Sequence, residues 1–385
     1  VNINEIDRQQ NTAIIYPVIL PERLAVITSL PNKNKNKNKN KNKNKNSNES
    51  ERIYKVTFPK ADNSGNLVTK ETLESTVKQV GENISRRGGG DFPPGLQKLY
   101  SWLIEQPFQS DLQNVENLVF ILDGSLRNIP MATLYDGEKY LIEKDYNIVL
   151  TPGLQLLPTS EPLTAERLER QTLVAGLSTI SKEKRNEYEK EFDVSFSDLS
   201  YVKDEVKQIA EKAKVPARQK LLNENFKKSA IRKAVKSSSL PVIHLATHGL
   251  FSSQAENTFI ITSDKLVNVN ELQSLLRSRE TSQTEAIELL VLSACQTAKG
   301  DDRAALGIAG VAIQSGARST LATLWSVTDN TTAQVMIDFY NNLINEGMPK
   351  AEALRKAQAK LINKENGRNR HPNYWAPFIL VGNWQ

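Results

Sequence analysis

The chain has 385 residues, enough to bury one large core or two smaller ones, and 39% of them are apolar, as in a soluble globular protein. No apolar run approaches the roughly 18 residues of a membrane span, and nothing at the start resembles a signal peptide, so membrane and secreted classes are excluded and a cytoplasmic location is expected. A single cysteine rules out an internal disulfide framework and fits a reducing compartment in which a free thiol persists.

The net charge of +6 suggests a nucleic-acid partner only until its source is located. Seven lysines at every odd position from Lys33 to Lys45 alternate with asparagine, and without them the charge is −1. The run carries no apolar residue to offset its ordering entropy, so residues 31–50 are expected to form a disordered insertion. A basic tether for an anionic surface is the alternative reading of that run; a solvated repeat is preferred.

Around this insertion, TAIIYPVIL, RLAVITSL and RIYKVTF read as strands of a small antiparallel sheet, and residues 69–84 as a helix. Residues 1–91 thus form an N-terminal hairpin and helix region. RRGGGDFPPG (86–95) reads as a linker, since no strand precedes its glycines and no Gly-Lys-Ser/Thr follows. LQKLYSWLIEQPF is an amphipathic helix that Pro107 should end, NLVFILDG is a buried strand, and EKYLIEKDYNIVL reads as a hairpin. Asp123 and Arg127 fit a salt-bridged turn. Residues 92–170 make a second region.

From residue 171 the pattern alternates strand with helix. QTLVAGL is the first strand; 182–197 is charged, without apolar period, and expected to be an exposed loop. Helices follow at 199–214 and 226–235, with a strand at 219–222 between them. A hairpin and short helix are expected in FIITSDKLVNVNELQSLL, a strand in RSTLATLW, helices at 331–343 and 349–362, and a last strand in APFILVG. This alternation specifies an α/β fold: a three-layer α/β/α sandwich with a mostly parallel sheet over residues 171–385.

Two stretches concentrate the chemistry. PVIHLATHGLF and ELLVLSACQTAKGDDRAALGIAG each hold a β-branched apolar run that ends in a reactive side chain, the first at His248-Gly249 and the second at Cys295. Buried parallel strands deliver functional groups at their carboxyl ends, so an imidazole and a thiol on neighbouring strands would make a nucleophile with its acid/base partner. A helix predicted from Leu306, Ala309, Ala312 and Ile313 would favour the thiolate. The Gly249 and Cys295 amides are placed to hold an oxyanion. On the residues alone the bland reading stays open: a lone strand cysteine packs as a small hydrophobe, and His-Gly is often a turn. His244 is read as a buried, hydrogen-bonded structural histidine.

HLATHG, LVLSACQTAKGDDRAALGIAGVAIQSGARSTLATLWSVTDNTTAQVMIDFY and YWAPFILVGNW resemble the CHAT domain, a caspase-like peptidase module related to caspases and separase and named for its association with tetratricopeptide repeats. LDGSLRNIPMATLYDG also follows the family pattern, and the resemblance implies that residues 92–170 are an accessory part of the domain. The resemblance runs from about residue 92 to the end. It implies a cysteine endopeptidase with Cys295 as nucleophile, His248 as general acid/base, protein substrates and no cofactor or metal, and three histidines with one cysteine at no metal-ligand spacing agree. TLATLWSVTD resembles the separase stretch whose last acid accepts arginine before the scissile bond; here that acid is Asp329, with Asp301 and Asp302 as weaker rivals. Asp329 also fits a helix N-cap, a role that needs no substrate. The chain starts with Val, as part of a longer protein would, and the resemblance implies a repeat domain or protein partner as regulator, in stress or defence. No nucleic acid or membrane is implied. The rival class is a CHAT-like scaffold that has lost peptidase activity; retention of both His248 and Cys295 argues against it.

Overall fold

A computed structural model of the chain describes residues 11–31, 52–86, 94–108, 111–153, 163–192, 196–237, 239–252, 254–278, 286–297, 311, 315–363 and 370–385, with backbone only at 294–297. The Lys-Asn run, most of the 86–95 linker, the stretch carrying Asp301, Asp302, Leu306 and Ala309, and the pair Ala312 and Ile313 lie outside the described residues. The chain forms two compact units, 1–159 and 160–385.

In the first unit, β1 (Thr12–Ile19), β2 (Leu24–Pro31) and β3 (Arg52–Thr57) form the expected antiparallel meander. Beyond β1 the sheet continues in parallel through β4 (Asn117–Phe120) and β5 (Asn147–Leu150). Helix α1 (Lys70–Ile84) begins where Thr69 caps it, its side chain accepting from the Thr72 N–H. Helix α2 (Pro94–Tyr100) runs on through a π-helical turn (Ser101–Glu105) into Gln106–Phe108, so Pro107 does not end it. The wider turn accommodates a proline, which has no N–H to give.

Two other expectations are corrected here. Residues 138–150 do not form a hairpin: a single Tyr135–Tyr140 bridge precedes a 3₁₀ turn (Leu141–Lys144), and the strand beyond it pairs with β4. The Tyr140–Glu143 capping box closes that turn, which a hairpin reading overlooks. Asp123 and Arg127 serve the backbone instead of each other, Asp123 Oδ2 accepting from Ile19 N at 3.2 Å and Arg127 Nε donating to Leu122 O at 3.0 Å.

The second unit holds the predicted alternation. Its strands are β6 (Thr172–Gly176), β7 (Lys220–Leu222), β8 (Val242–Phe251), the hairpin β9 (Phe259–Ile261) and β10 (Leu266–Asn268), then β11 (Leu289–Thr297), β12 (Ser319–Thr323) and β13 (Phe378–Gly382). The ladder runs β7-β6-β8-β11-β12-β13, parallel until β13. The helices are α3 (Lys182–Phe192), α4 (Val202–Lys212), α5 (Lys228–Ser237), α6 (Val269–Leu276), α7 (Asp329–Ile344) and α8 (Lys350–Ile362). Residues 182–192 are thus helical, not a loop, despite having only Tyr188 buried.

This order locates a functional edge. The crossover from β6 leads outward to β7 through α4, and the next returns past β6 to β8 through α5. Both crossovers are expected to be right-handed, so the two helices belong on opposite faces and the direction reverses between β6 and β8. Crevices for ligands form at the carboxyl ends of strands at such a reversal. Helix α4 fits closely here: a Cβ on Gly176 would lie 2.6 Å from Val202 Cγ1 and 2.9 Å from Val206 Cγ2.

Candidate active site

β8 and β11 pair in parallel from Leu289↔Val242 to Ser293↔Ala246, and then the register shifts, so that Cys295 faces Gly249. One extra residue is therefore accommodated on β8 between Ala246 and Gly249, where His248 stands. Bulges of this kind re-aim a side chain without ending the strand. Neither run stops at its reactive residue, as the sequence suggested; both strands continue to Phe251 and Thr297. The backbone of Cys295 is thereby placed beside that of Gly249, while the thiol itself lies outside the described residues.

His248 is half-buried. Its Nε2 meets the Ser197 carbonyl at 2.5 Å, and Phe196 presents its ring to the imidazole at 5.3 Å and 69°. A carbonyl can only accept, so this contact places the proton on Nε2 and leaves Nδ1 bare. Burial pushes the imidazole below its ordinary value of 6.5; the Ser197 carbonyl opposes this, Arg185 adds to it and Asp198 opposes it.

Asp329 opens α7 as its first helical residue, and the N-cap position falls to Thr328. Its carboxylate does not cap its own helix. Asp329 Oδ2 accepts the Tyr201 N–H, just before α4, at 2.5 Å, and Oδ1 is buried without a hydrogen-bond partner. Desolvation raises its pKa, the Tyr201 amide lowers it, and the charge of Glu205 raises it further. Tyr201 also lies four residues beyond Ser197, so one short segment touches both His248 and Asp329.

Beneath this edge is a polar group that sequence reasoning missed. Glu205 on α4 and His244 on β8 are both fully buried, with Glu205 Oε1 3.0 Å from His244 Nε2, a contact off the line of a good hydrogen bond. The same oxygen accepts from Ser293 Oγ at 2.7 Å, and Tyr340 of α7 sets its ring edge against His244. His244 is therefore buried, as expected, but neither ring nitrogen makes a hydrogen bond of good geometry, which corrects the hydrogen-bonded reading; the Glu205 carboxylate is its close polar neighbour. Glu205 was detectable: it falls in phase with Val202, Val206 and Ile209 on the buried stripe of α4, where a carboxylate needs a partner. Ser197 and Arg185 left no such signal, since a backbone carbonyl has no sequence signature. Among the described residues no cluster of three or more His, Cys, Asp or Glu could hold a metal ion, and no helix is long and apolar enough to cross a membrane.

The fold has relatives of known structure. The Saccharomyces cerevisiae separase–securin complex aligns with a TM-score of 0.50 at 11% identity, over 98% of this chain and 31% of that one. The Arg specific cysteine proteinase gingipain R aligns at 0.45 and 9%, over 82% and 74%. A complex of the pro- and mature domains of Porphyromonas gingivalis RgpB aligns at 0.43 and 9%, over 82% and 76%. The chain thus spans about a third of the separase chain, and at these identities the likeness concerns the fold alone: a mixed α/β, caspase-like architecture with a mostly parallel sheet. No curated protein matches the chain significantly. Residues 94–383 match the CHAT domain, about three quarters of the sequence, and the chain belongs to the CHAT domain family.

Proposed function

We propose that the chain is a cysteine endopeptidase in which Cys295 attacks the scissile carbonyl and His248 carries the proton, cutting after a basic residue held by Asp329. The observation that carries this reading is the bulged β8–β11 pair, which sets the residue with a bare, carbonyl-oriented imidazole next to the strand position of the only cysteine. In the first step the sulfur forms a bond to the carbonyl carbon, its proton passes to His248 Nδ1, and that proton then leaves with the amine. Water hydrolyses the thioester and restores the thiol. The chemistry needs no cofactor. The Gly249 and Cys295 amides are adjacent across the ladder and are assigned to the oxyanion, a role that requires each to be released from ladder bonding when substrate binds.

The orphan Oδ1 of Asp329 supports a basic substrate residue. A desolvated carboxylate with one free oxygen is stabilised by a guanidinium, through charge-assisted bonds about twice as strong as neutral ones. A partner or attached domain is assigned the regulatory role; the separase structure, for its part, is a complex with securin. The specificity assignment is tested with two fluorogenic peptides differing only in Arg or Asp before the cut. The parent is expected to prefer Arg, and Asp329→Asn to lose most of that preference. Equal turnover of both peptides by the parent, or a preference that survives the substitution, removes Asp329 from the site.

A further inference from the structure

Helix α3 supplies nothing to the reaction just described, yet two of its side chains, one turn apart, grip the segment that orients His248. Arg185 Nη2 meets Asp198 Oδ1 at 2.5 Å, and Glu189 Oε1 accepts the Phe196 N–H at 3.0 Å. Between the two gripped residues lies Ser197, whose carbonyl receives the His248 proton. Residues four apart share a helix face, so one face of α3 holds both flanks of that carbonyl.

The helix is itself anchored next to the site. Lys184 Nζ donates to the Ser263 and Asp264 carbonyls at 2.8 Å each, and the Phe192 ring packs on Phe259 at 4.4 Å. Both contacts fall on the β9–β10 hairpin, which pairs with Gly249 and Leu250 immediately beyond His248. Only Tyr188 of its own residues is buried, too little apolar surface to seat an 11-residue helix by packing. Its polar grips and the Phe192 ring are what connect it to the edge.

We propose that Arg185 and Glu189 are positioning residues for His248, fixing the Ser197 carbonyl and through it the tautomer and orientation of the imidazole. This rests on the reading of His248 as the acid/base group. A neutral imidazole carries its proton on whichever nitrogen has the better acceptor. With the carbonyl held, that nitrogen is Nε2 and the base faces away from Ser197. With either flank released, the 196–198 peptides can rotate, the acceptor moves off Nε2, and only part of the population keeps Nδ1 bare.

The test reads the ring itself. The protein contains three histidines, so ¹⁵N-histidine labelling gives three pairs of nitrogen signals, with His244 and His371 as internal controls. Nitrogen shifts are recorded at a pH where the rings are neutral, for the parent, Arg185→Gln, Glu189→Gln, the double variant and Arg185→Lys. The parent is expected to show His248 as one Nε2–H tautomer. The Gln variants should show a mixture, His244 and His371 should not move, and Arg185→Lys should return most of the parental signal. Peptide cleavage should lose kcat, by up to about 10²-fold, at unchanged KM. If the double variant loses its fold, shown by movement of His244, the two single variants decide. A His248 that keeps its Nε2–H tautomer in folded Gln variants overturns the proposal. Because the signal does not depend on turnover, a tautomer that responds in a protein without thiol reactivity would uphold this inference and overturn the peptidase reading.

Discussion

Glu205→Ala is expected to lower folding stability by about 2–4 kcal/mol, the cost of leaving a buried hydroxyl without its acceptor together with that of the void left by the side chain. Glu205 and His244 have no exposed surface, and one carboxylate oxygen serves both His244 Nε2 and Ser293 Oγ. The substitution leaves the Ser293 hydroxyl without its acceptor, removes the carboxylate from beside His244 and opens a void between α4, α7 and the sheet. Replacing both residues by apolar ones of similar volume should cost much less, since the buried polar groups and their desolvation penalty are removed together. Urea unfolding of the parent, Glu205→Ala and the double variant Glu205→Met/His244→Leu distinguishes these cases. A single variant with the parental midpoint would show that the contact contributes nothing.

His248→Ala is expected to reduce kcat/KM by roughly 10²–10⁴-fold, the range that a positioned acid/base group contributes, while Cys295→Ala abolishes cleavage. The pH dependence follows from the direction of the imidazole shift. Burial holds the pKa of His248 below 6.5, so Nδ1 is unprotonated at neutral pH and the base is lost only on acidification. The acid limb of kcat/KM for the parent should therefore fall below pH 6.5 and vanish in the residual activity of His248→Ala. Stopped assays across pH 4–9 at fixed ionic strength measure both effects; a limb centred above 6.5 contradicts the assigned environment.

The sheet was legible because buried parallel strands are written as short β-branched runs, and LVLSACQT and VIHLATHG are such runs in full. The helices α4, α7 and α8 were legible through their apolar period, with boundaries shifted by a few residues. Helix α3 was not, because periodicity reports burial and KEKRNEYEKEF buries one side chain; its position is set by ion pairs and hydrogen bonds to residues 13 and 7 positions on. The 138–150 hairpin failed for the opposite reason, since alternating apolar residues there serve a 3₁₀ turn and a strand that pairs with distant β4. His248 and Asp329 were named from the sequence. The bulge that aims the one and the Tyr201 amide that holds the other are backbone features that no residue type announces.

The most direct measurement is labelling by a thiol-reactive peptide probe with arginine next to the warhead, followed by mass of the intact chain. With one cysteine in the sequence, any adduct reports Cys295. The parent should take up one probe, and Cys295→Ala none. His248→Ala should react far more slowly than the parent with the peptide probe, yet no more slowly once unfolded in denaturant. Equal labelling rates for folded parent and folded His248→Ala would show that the imidazole does not activate the thiol, and the chain would then be a CHAT-like scaffold.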